Sequence, residues 1–292
     1  MISLTNIEVS EICNHLGQSK LINMQQIYGG SIHSSWRLDF KDQKIFLKKN
    51  IRSQKFLKFE KYCLEDLRNY IDHEDLIIPK VLKYFELNNV EILLMEWIDM
   101  NNSNQKKLGK GLGLLHLNSN ENNPKRFGYH IDGFIGTTKQ IQGWEKNWAD
   151  CFIKQRIQPQ LLMLKDEIIN SEIIEKLKSK IYYILSKHKP MNSLVHGDLW
   201  SGNIGISNIG KGVIFDPASW WADNETDLAM TRLFGGFQKE FYQEYYKIIK
   251  IKPGLEKRRI IYNFYHILNH ANMFGGGYLV ETKNYIKNIM SM

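Results

Sequence analysis

The 292-residue chain has three cysteines, Cys13, Cys63 and Cys151, widely spaced and without a C-x-x-C pair. An odd, scattered set makes no disulfide framework, so a reducing compartment suits it best. No apolar run approaches the ~18 residues that a membrane span needs. The first residues, MISLTNIEVSEICNHLG, have neither a basic stretch nor an apolar one, so no secretory leader is expected. Internal repeats and low-complexity linkers are also lacking. These absences lead us to expect a cytoplasmic protein with no membrane partner. What is present is a core: 43% of residues are hydrophobic, which excludes a disordered chain. The charge, 39 basic against 31 acidic residues or +8, suits anionic ligands such as nucleotides. The basic residues are spread along the chain and lack the interleaved aromatics of a nucleic-acid platform, so no nucleic-acid partner is expected.

The texture changes near residue 100. Before it, short β-like runs dominate, at 24–28, 35–40, 44–48, 81–86 and 90–97, with one helical segment at 55–71. There Phe56, Phe59, Cys63 and Leu67 step by three and four, which is helix period. After it the pattern is mostly helical, near 104–118, 145–165, 171–188, 225–250 and 256–274, with a β-like interruption at 194–216. The polar stretch 101–105 reads as a junction and 118–132 as a loop. The order predicts an α+β architecture of two lobes. A small β-rich lobe with one helix spans 1–98, and a larger, mainly helical lobe spans 99–292.

The most informative segment is His196-Gly197-Asp198-Leu199-Trp200-Ser201-Gly202-Asn203. It fits H-x-D-L-x-x-x-N, the catalytic-loop spacing of protein kinases. An acceptor hydroxyl needs a carboxylate to receive its proton, which Asp198 can supply. Mg²⁺ on the phosphates needs hard oxygen ligands, and Asn203 can supply one. Residues 203–206 and 212–215 read as two strands around a turn, which brings Asp216, at the end of the second strand, beside Asn203 as a second ligand. A hairpin with a capping Asp and a turn Asn is the plainer alternative. Upstream, Lys44-Ile45-Phe46-Leu47-Lys48 resembles the V-A-I-K strand whose lysine holds phosphates. Glu60, on the inward stripe of the 55–71 helix, is the carboxylate that would position Lys48, with Glu65 as its competitor. The other reading makes Lys48 and its basic neighbours a solvated face. Gly29, Gly30 and Ser31 lie where a phosphate-covering loop belongs, although G-x-G-x-x-G is absent. Met95, Glu96 and Trp97 end the last strand, where backbone would face an adenine; a buried edge strand is the alternative.

Together these residues resemble the fructosamine kinase (ketosamine kinase) family, a small-molecule branch of the protein-kinase-like fold. HGDLWSGN at 196–203 is the most specific part, since aminoglycoside and choline kinases share its spacing but usually not Trp-Ser-Gly. IFDPAS at 214–219, Phe234-Gly235-Gly236 and Phe274-Gly275-Gly276 also resemble the family, as do Phe127-Gly128-Tyr129-His130, 133–136, Trp144 to Trp148 and Leu268-Asn269-His270. The likeness runs over about 28–279. It implies ATP-dependent phosphorylation of a sugar hydroxyl, typically O3, on a ketosamine or glycated lysine, after which the adduct falls apart and frees the amine. It further implies Asp198 as proton acceptor, Asn203 and Asp216 as Mg²⁺ ligands, Lys48 with Glu60 as the ATP-positioning pair and 95–97 as the adenine-facing segment. Trp200 would wall the sugar or pack in the core, and His270 would line the acceptor cleft or sit in the core.

Some departures bear on the acceptor. Trp220-Trp221 stand where smaller residues or tyrosine are common, which leaves the pocket size open. Glu225 and Asp227 either hold a cationic amine or fill the first turn of the following helix. The glycine-rich stretch has no cysteine, so a disulfide between two chains through it is not expected. Competing functions are phosphorylation of another small alcohol, such as an aminoglycoside or choline, and non-catalytic nucleotide binding.

Overall fold

The structure, a computed structural model, describes residues 3–28, 33–101, 103–164 and 170–292. In chain order it runs α1 (Asn6–Leu16), β1 (Asn23–Ile27), β2 (Ser34–Asp39), β3 (Lys44–Asn50), α2 (Phe56–Arg68), β4 (Leu76–Ile77), β5 (Val81–Leu87) and β6 (Val90–Glu96). Then follow β7 (Met100–Asn101), α3 (Lys106–Glu121), β8 (Phe127–Tyr129), β9 (Gly133–Ile135), β10 (Thr138–Gln140) and β11 (Gly143–Glu145). A helical stretch comes next, with α4 (Trp148–Phe152), a π turn at Ile153–Ile157, α5 (Gln158–Met163) and α6 (Ser171–Ser186). The chain ends with β12 (Asn192–Val195), β13 (Ile204–Ser207), β14 (Gly212–Ile214), β15 (Trp220–Asp223), α7 (Glu225–Met230), α8 (Lys239–Ile248), α9 (Leu255–Phe274) and α10 (Gly277–Ser291).

The first part is an antiparallel sheet ordered β1-β2-β3-β6-β5. Its central strand β3 alternates, as a pleated strand must, so consecutive side chains leave by opposite faces. Ile45 and Leu47 enter a core with Trp36, Leu38, Ile92 and Leu94 under α1. The other face looks toward α2, whose Leu57, Cys63, Leu64 and Leu67 join the large core of the C-terminal part. The small lobe therefore has two helices, not one. The missed helix α1 is short, but Thr5 and Glu8 form a capping box and Gly17 closes it in the left-handed region.

The 196–203 segment lies between two small sheets. β13 and β14 form the expected hairpin, Ile204 opposite Ile214, with β7 beside β13 and β4 parallel to β14. β12 pairs with β15 so that Val195 faces Trp220. The loop expected at 118–132 instead contains β8, which joins β11 and β15. The helix expected over 225–250 is broken into α7 and α8, because Gly235 and Gly236 take φ values of 87° and 73°. Trp220 and Trp221 are core residues: Trp220 packs on Trp148 with ring centres 5.4 Å apart, and Trp221 on Tyr70 at 5.8 Å. Among the described residues, no helix is long and apolar enough to cross a membrane.

Candidate active site

Lys48 leaves β3 toward α2, where its Nζ lies 2.8 Å from Glu60 Oε1 and also pairs with Asp216. Strand alternation sends Lys49 the other way, to Glu8 on α1 at 2.7 Å. Both lysines are buried, so the solvated-face reading fails for them. Glu65 pairs with Lys61 on the same helix, 3.0 Å away, and does not compete for Lys48. Helix α2 itself has no side-chain cap at Lys55. Glu91, fully buried on β6, caps it by accepting from the backbone N–H of Leu57 (3.3 Å) and Lys58 (3.0 Å). Tyr84 Oη and Asn50 Nδ2 donate to the same carboxylate. At its far side the helix touches the segment after Asp216, with Ser219 N–H donating to Cys63 Sγ.

The loop after β12 is fixed by buried hydrogen bonds. Asp227 accepts from the N–H groups of His196 (2.7 Å) and Gly197 (2.9 Å), and from His116 Nε2 at 3.2 Å. The network sets the His116 tautomer: Asn224 donates to Tyr245 Oη, whose hydroxyl donates to His116 Nδ1 at 2.8 Å, so Nε2 carries the proton. His196 Nε2 donates to the Phe215 carbonyl at 2.9 Å, and burial disfavours its charged form. Gly197 has φ 84°, and a Cβ there would lie 2.1 Å from the Ala218 carbonyl oxygen, so only glycine fits.

Asn203 donates through Nδ2 to the Asp198 carbonyl (2.9 Å) and to Asp198 Oδ2 (3.2 Å). That leaves the amide oxygen of Asn203 as an acceptor. Burial, with Asp216 nearby, pushes the Asp198 carboxyl up to about 7. Asp216 ends the hairpin in the left-handed region, φ 57°, a conformation costly for a non-glycine residue and typical of functional sites. Partial loss of water around it opposes ionisation, yet Lys48 holds it below the usual carboxylate range. Its side chain remains 42% exposed. An amide oxygen and an ionised, partly exposed carboxylate are the hard donors that Mg²⁺ takes, so the residues fit that ion.

The remaining candidates divide. Gly29, Gly30 and Ser31 lie outside the described residues. In the 95–97 segment Met95 is buried, while the N–H of Glu96 donates to Lys80 O (3.0 Å) and that of Trp97 to Lys44 O (3.3 Å). Both donors are engaged by the protein, so an adenine donor must come from another position. Trp200 is 38% exposed beside Asp198, and His270 on α9 is connected to it through Phe234. Glu225 and Asp227 do occupy the first turn of α7. Neither is free for an amine: Arg258 holds Glu225 with contacts of 2.6 and 2.8 Å, and Asp227 holds the loop. Asp227 and Glu91 are the positioning residues that sequence reasoning missed. Nothing in the spacing linked Glu91 to α2, and an acid in a first turn has an ordinary dipole explanation.

A strand lysine between two carboxylates, next to a clamped Asp-x₄-Asn loop, defines a phosphotransferase of the protein-kinase-like class. The fold agrees, superposing with a TM-score of 0.85 on a Haemophilus somnus protein named as a putative fructosamine-3-kinase, at 26% identity and with 96% of each chain covered. A family model for fructosamine kinase matches residues 5–292. A Vibrio parahaemolyticus protein named as a probable ketoamine kinase is 37% identical over 91% of this chain and 92% of its own. The mouse ketosamine-3-kinase is 31% identical over 89% and 93% respectively. The chain belongs to the fructosamine kinase family. It is an ATP-dependent kinase that phosphorylates an alcohol group of ketosamines.

Proposed function

We propose that Asp198 accepts the proton of the acceptor hydroxyl, that Lys48 held by Glu60 contacts the ATP phosphates, and that Asn203 and Asp216 hold Mg²⁺. The observation that carries this reading is the meeting of the Lys48–Asp216 pair with the Asp198–Asn203 loop at one end of the β13–β14 hairpin. Mg²⁺, when bound, supplies positive charge to the transferring phosphoryl group. The protein's own part is to orient and to move one proton. Asn203 fixes the rotamer of Asp198, and Asp227 fixes the loop that carries it. A carboxyl poised near neutrality is matched to taking a proton from a sugar hydroxyl as its oxygen bonds to phosphorus. The glycine-rich stretch 29–31 would cover the phosphates, and 95–97 would face the adenine with Ile98 contributing the next N–H. The lobe boundary belongs near residue 98, since β7 just beyond it pairs with β13. Three free cysteines, two of them buried, support a cytoplasmic setting.

The acceptor position is O3 of a fructosamine or ribulosamine adduct, free or on a protein lysine, in a deglycating repair role. The test is ATP turnover on a ketosamine panel beside an aminoglycoside panel. Ketosamine-dependent ADP release with phosphate on O3 is expected; turnover confined to aminoglycosides would overturn the substrate assignment. In the same assay Asp198→Asn lowers turnover roughly 10²- to 10⁴-fold while nucleotide still binds. Near-wild-type turnover of that variant would remove Asp198 as the base.

A further inference from the structure

Two Phe-Gly-Gly corners converge on one histidine. Phe234 precedes Gly235 and Gly236, and Phe274 precedes Gly275 and Gly276. All four glycines have positive φ, between 55° and 87°, and a Cβ on any of them would meet nothing within 4 Å. The glycines are thus required by backbone conformation, not by crowding, and they set where the two rings go. The His270 ring centre lies 4.9 Å from Phe234, 5.6 Å from Phe274 and 5.0 Å from Tyr278. Phe234 in turn meets Trp200 edge-on at 6.3 Å. Trp200 is held flat over its own loop, since a Cβ on Gly202 would lie 2.3 Å from its ring. The result is a continuous aromatic wall that starts two residues from Asp198 and ends on half-buried Tyr278 and on Phe274, which is 58% exposed.

Such a wall gains little for the fold, since its outer rings are not buried. Its chemistry suits a cation with an apolar arm, because ring faces carry negative quadrupole charge. The two carboxylates that could have held an amine, Glu225 and Asp227, are committed to Arg258 and to the catalytic loop. His270 Nδ1 donates to the His266 carbonyl at 2.8 Å, which leaves Nε2 as the acceptor of the neutral ring. An ammonium N–H can use that acceptor while its substituent lies along the rings.

We propose that the Trp200–Phe234–His270–Phe274–Tyr278 wall binds the nitrogen side of the acceptor, and that Phe274 and Tyr278 select ketosamines whose nitrogen bears an apolar substituent. This rests on the ketosamine reading above and names the subsite that reads the amine. The experiment compares kcat/KM for N-benzyl fructosamine with that for 1-amino-1-deoxyfructose, in wild type and in Phe274→Ala/Tyr278→Ala. The wild type prefers the benzyl adduct, and the double variant lowers the ratio of the two values by roughly tenfold, the size of lost aromatic contacts. A ratio within about twofold of wild type would overturn the subsite, whatever the absolute rates. Phe234→Leu gives a second readout, with the ratio falling in the same direction; an unchanged ratio there removes Phe234 from the wall. Absence of turnover on both adducts in the wild type would instead defeat the ketosamine reading, so the two failures are distinct.

Discussion

Lys48 and Lys49 are neighbours on one strand, both buried and both paired with a helical glutamate, yet their partners respond in opposite ways. Burial raises both glutamates, but at Glu8 the bonds from Lys49 and Thr5 win and the carboxyl is held below its usual range. At Glu60 burial wins and the carboxyl rises to about 7, because Lys48 is shared with Asp216. One site is a closed one-to-one pair that pins α1 to the sheet. The other has one carboxylate more than it has cations, a surplus that a bound cation can neutralise. The contrast sets a closed structural ion pair against one left open to a bound cation, without appeal to position in the sequence.

The largest expected effect comes from removing each lysine in turn. Lys48→Met should lower kcat by roughly 10²- to 10³-fold, the cost of losing a preorganised charge at the phosphates. Its fold should survive, because Glu60 already titrates near neutrality and can take a proton in place of the lost cation. Lys49→Met should do the reverse. Breaking a buried pair that has no such outlet costs roughly 3–5 kcal/mol, read by urea unfolding, while kcat of the folded fraction stays near wild type. If Lys49→Met proved the catalytic lesion and Lys48→Met the unstable one, the contrast would be wrong.

A smaller effect tests how the functional pair is held in place. Glu91 touches neither lysine but caps α2, which carries Glu60. Glu91→Gln keeps the shape and removes the charge, costing about 1–2 kcal/mol at a helix N-terminus with several donors. Activity should fall through a raised KM for ATP, with Lys49 and α1 unaffected. Loss of stability with ATP KM unchanged would show that Glu91 serves the fold alone.

The two pairs also differ in how legible they were. Lys48, Glu60, Asp198, Asn203 and Asp216 could be singled out from the chain because phosphate and metal chemistry would demand such side chains at set spacings, and the fold brings them together. Glu8 and Glu91 were not read, and Asp227 was read only as an amine ligand or a first-turn acid, because each acts on backbone or on a partner brought close only by folding. Glu91 is 34 residues from Leu57, which it caps, and Asp227 is 31 from His196. The three-residue strands β8 to β11 were too short to show a period, and α10 lies past the Gly275-Gly276 corner, beyond the last helical stretch expected. Even so, α1 left a signal in Thr5-x-x-Glu8, a capping box that outweighed its weak apolar stripe.

The finest test of the contrast is pH. The folded chain holds Glu8 below the ordinary carboxylate pKa of about 4.3, so the pair's contribution is complete above that value and is lost as pH falls through the depressed one. Glu60 has the opposite sign. Its folded value near 7 lies above the unfolded one, so its ionisation costs stability as pH climbs from about 4.3 toward 7. Glu8→Gln should therefore destabilise most at neutral pH and least in acid. Glu60→Gln should lose its disadvantage, and can gain on wild type, over the same rise in pH when nucleotide is absent. Urea midpoints across pH 3.5 to 7.5 would read both trends as differences from wild type, typically of about 1 kcal/mol. Parallel trends would mean that Asp216 does not share Lys48 in solution, and the two lysines would then differ only in which helix they face.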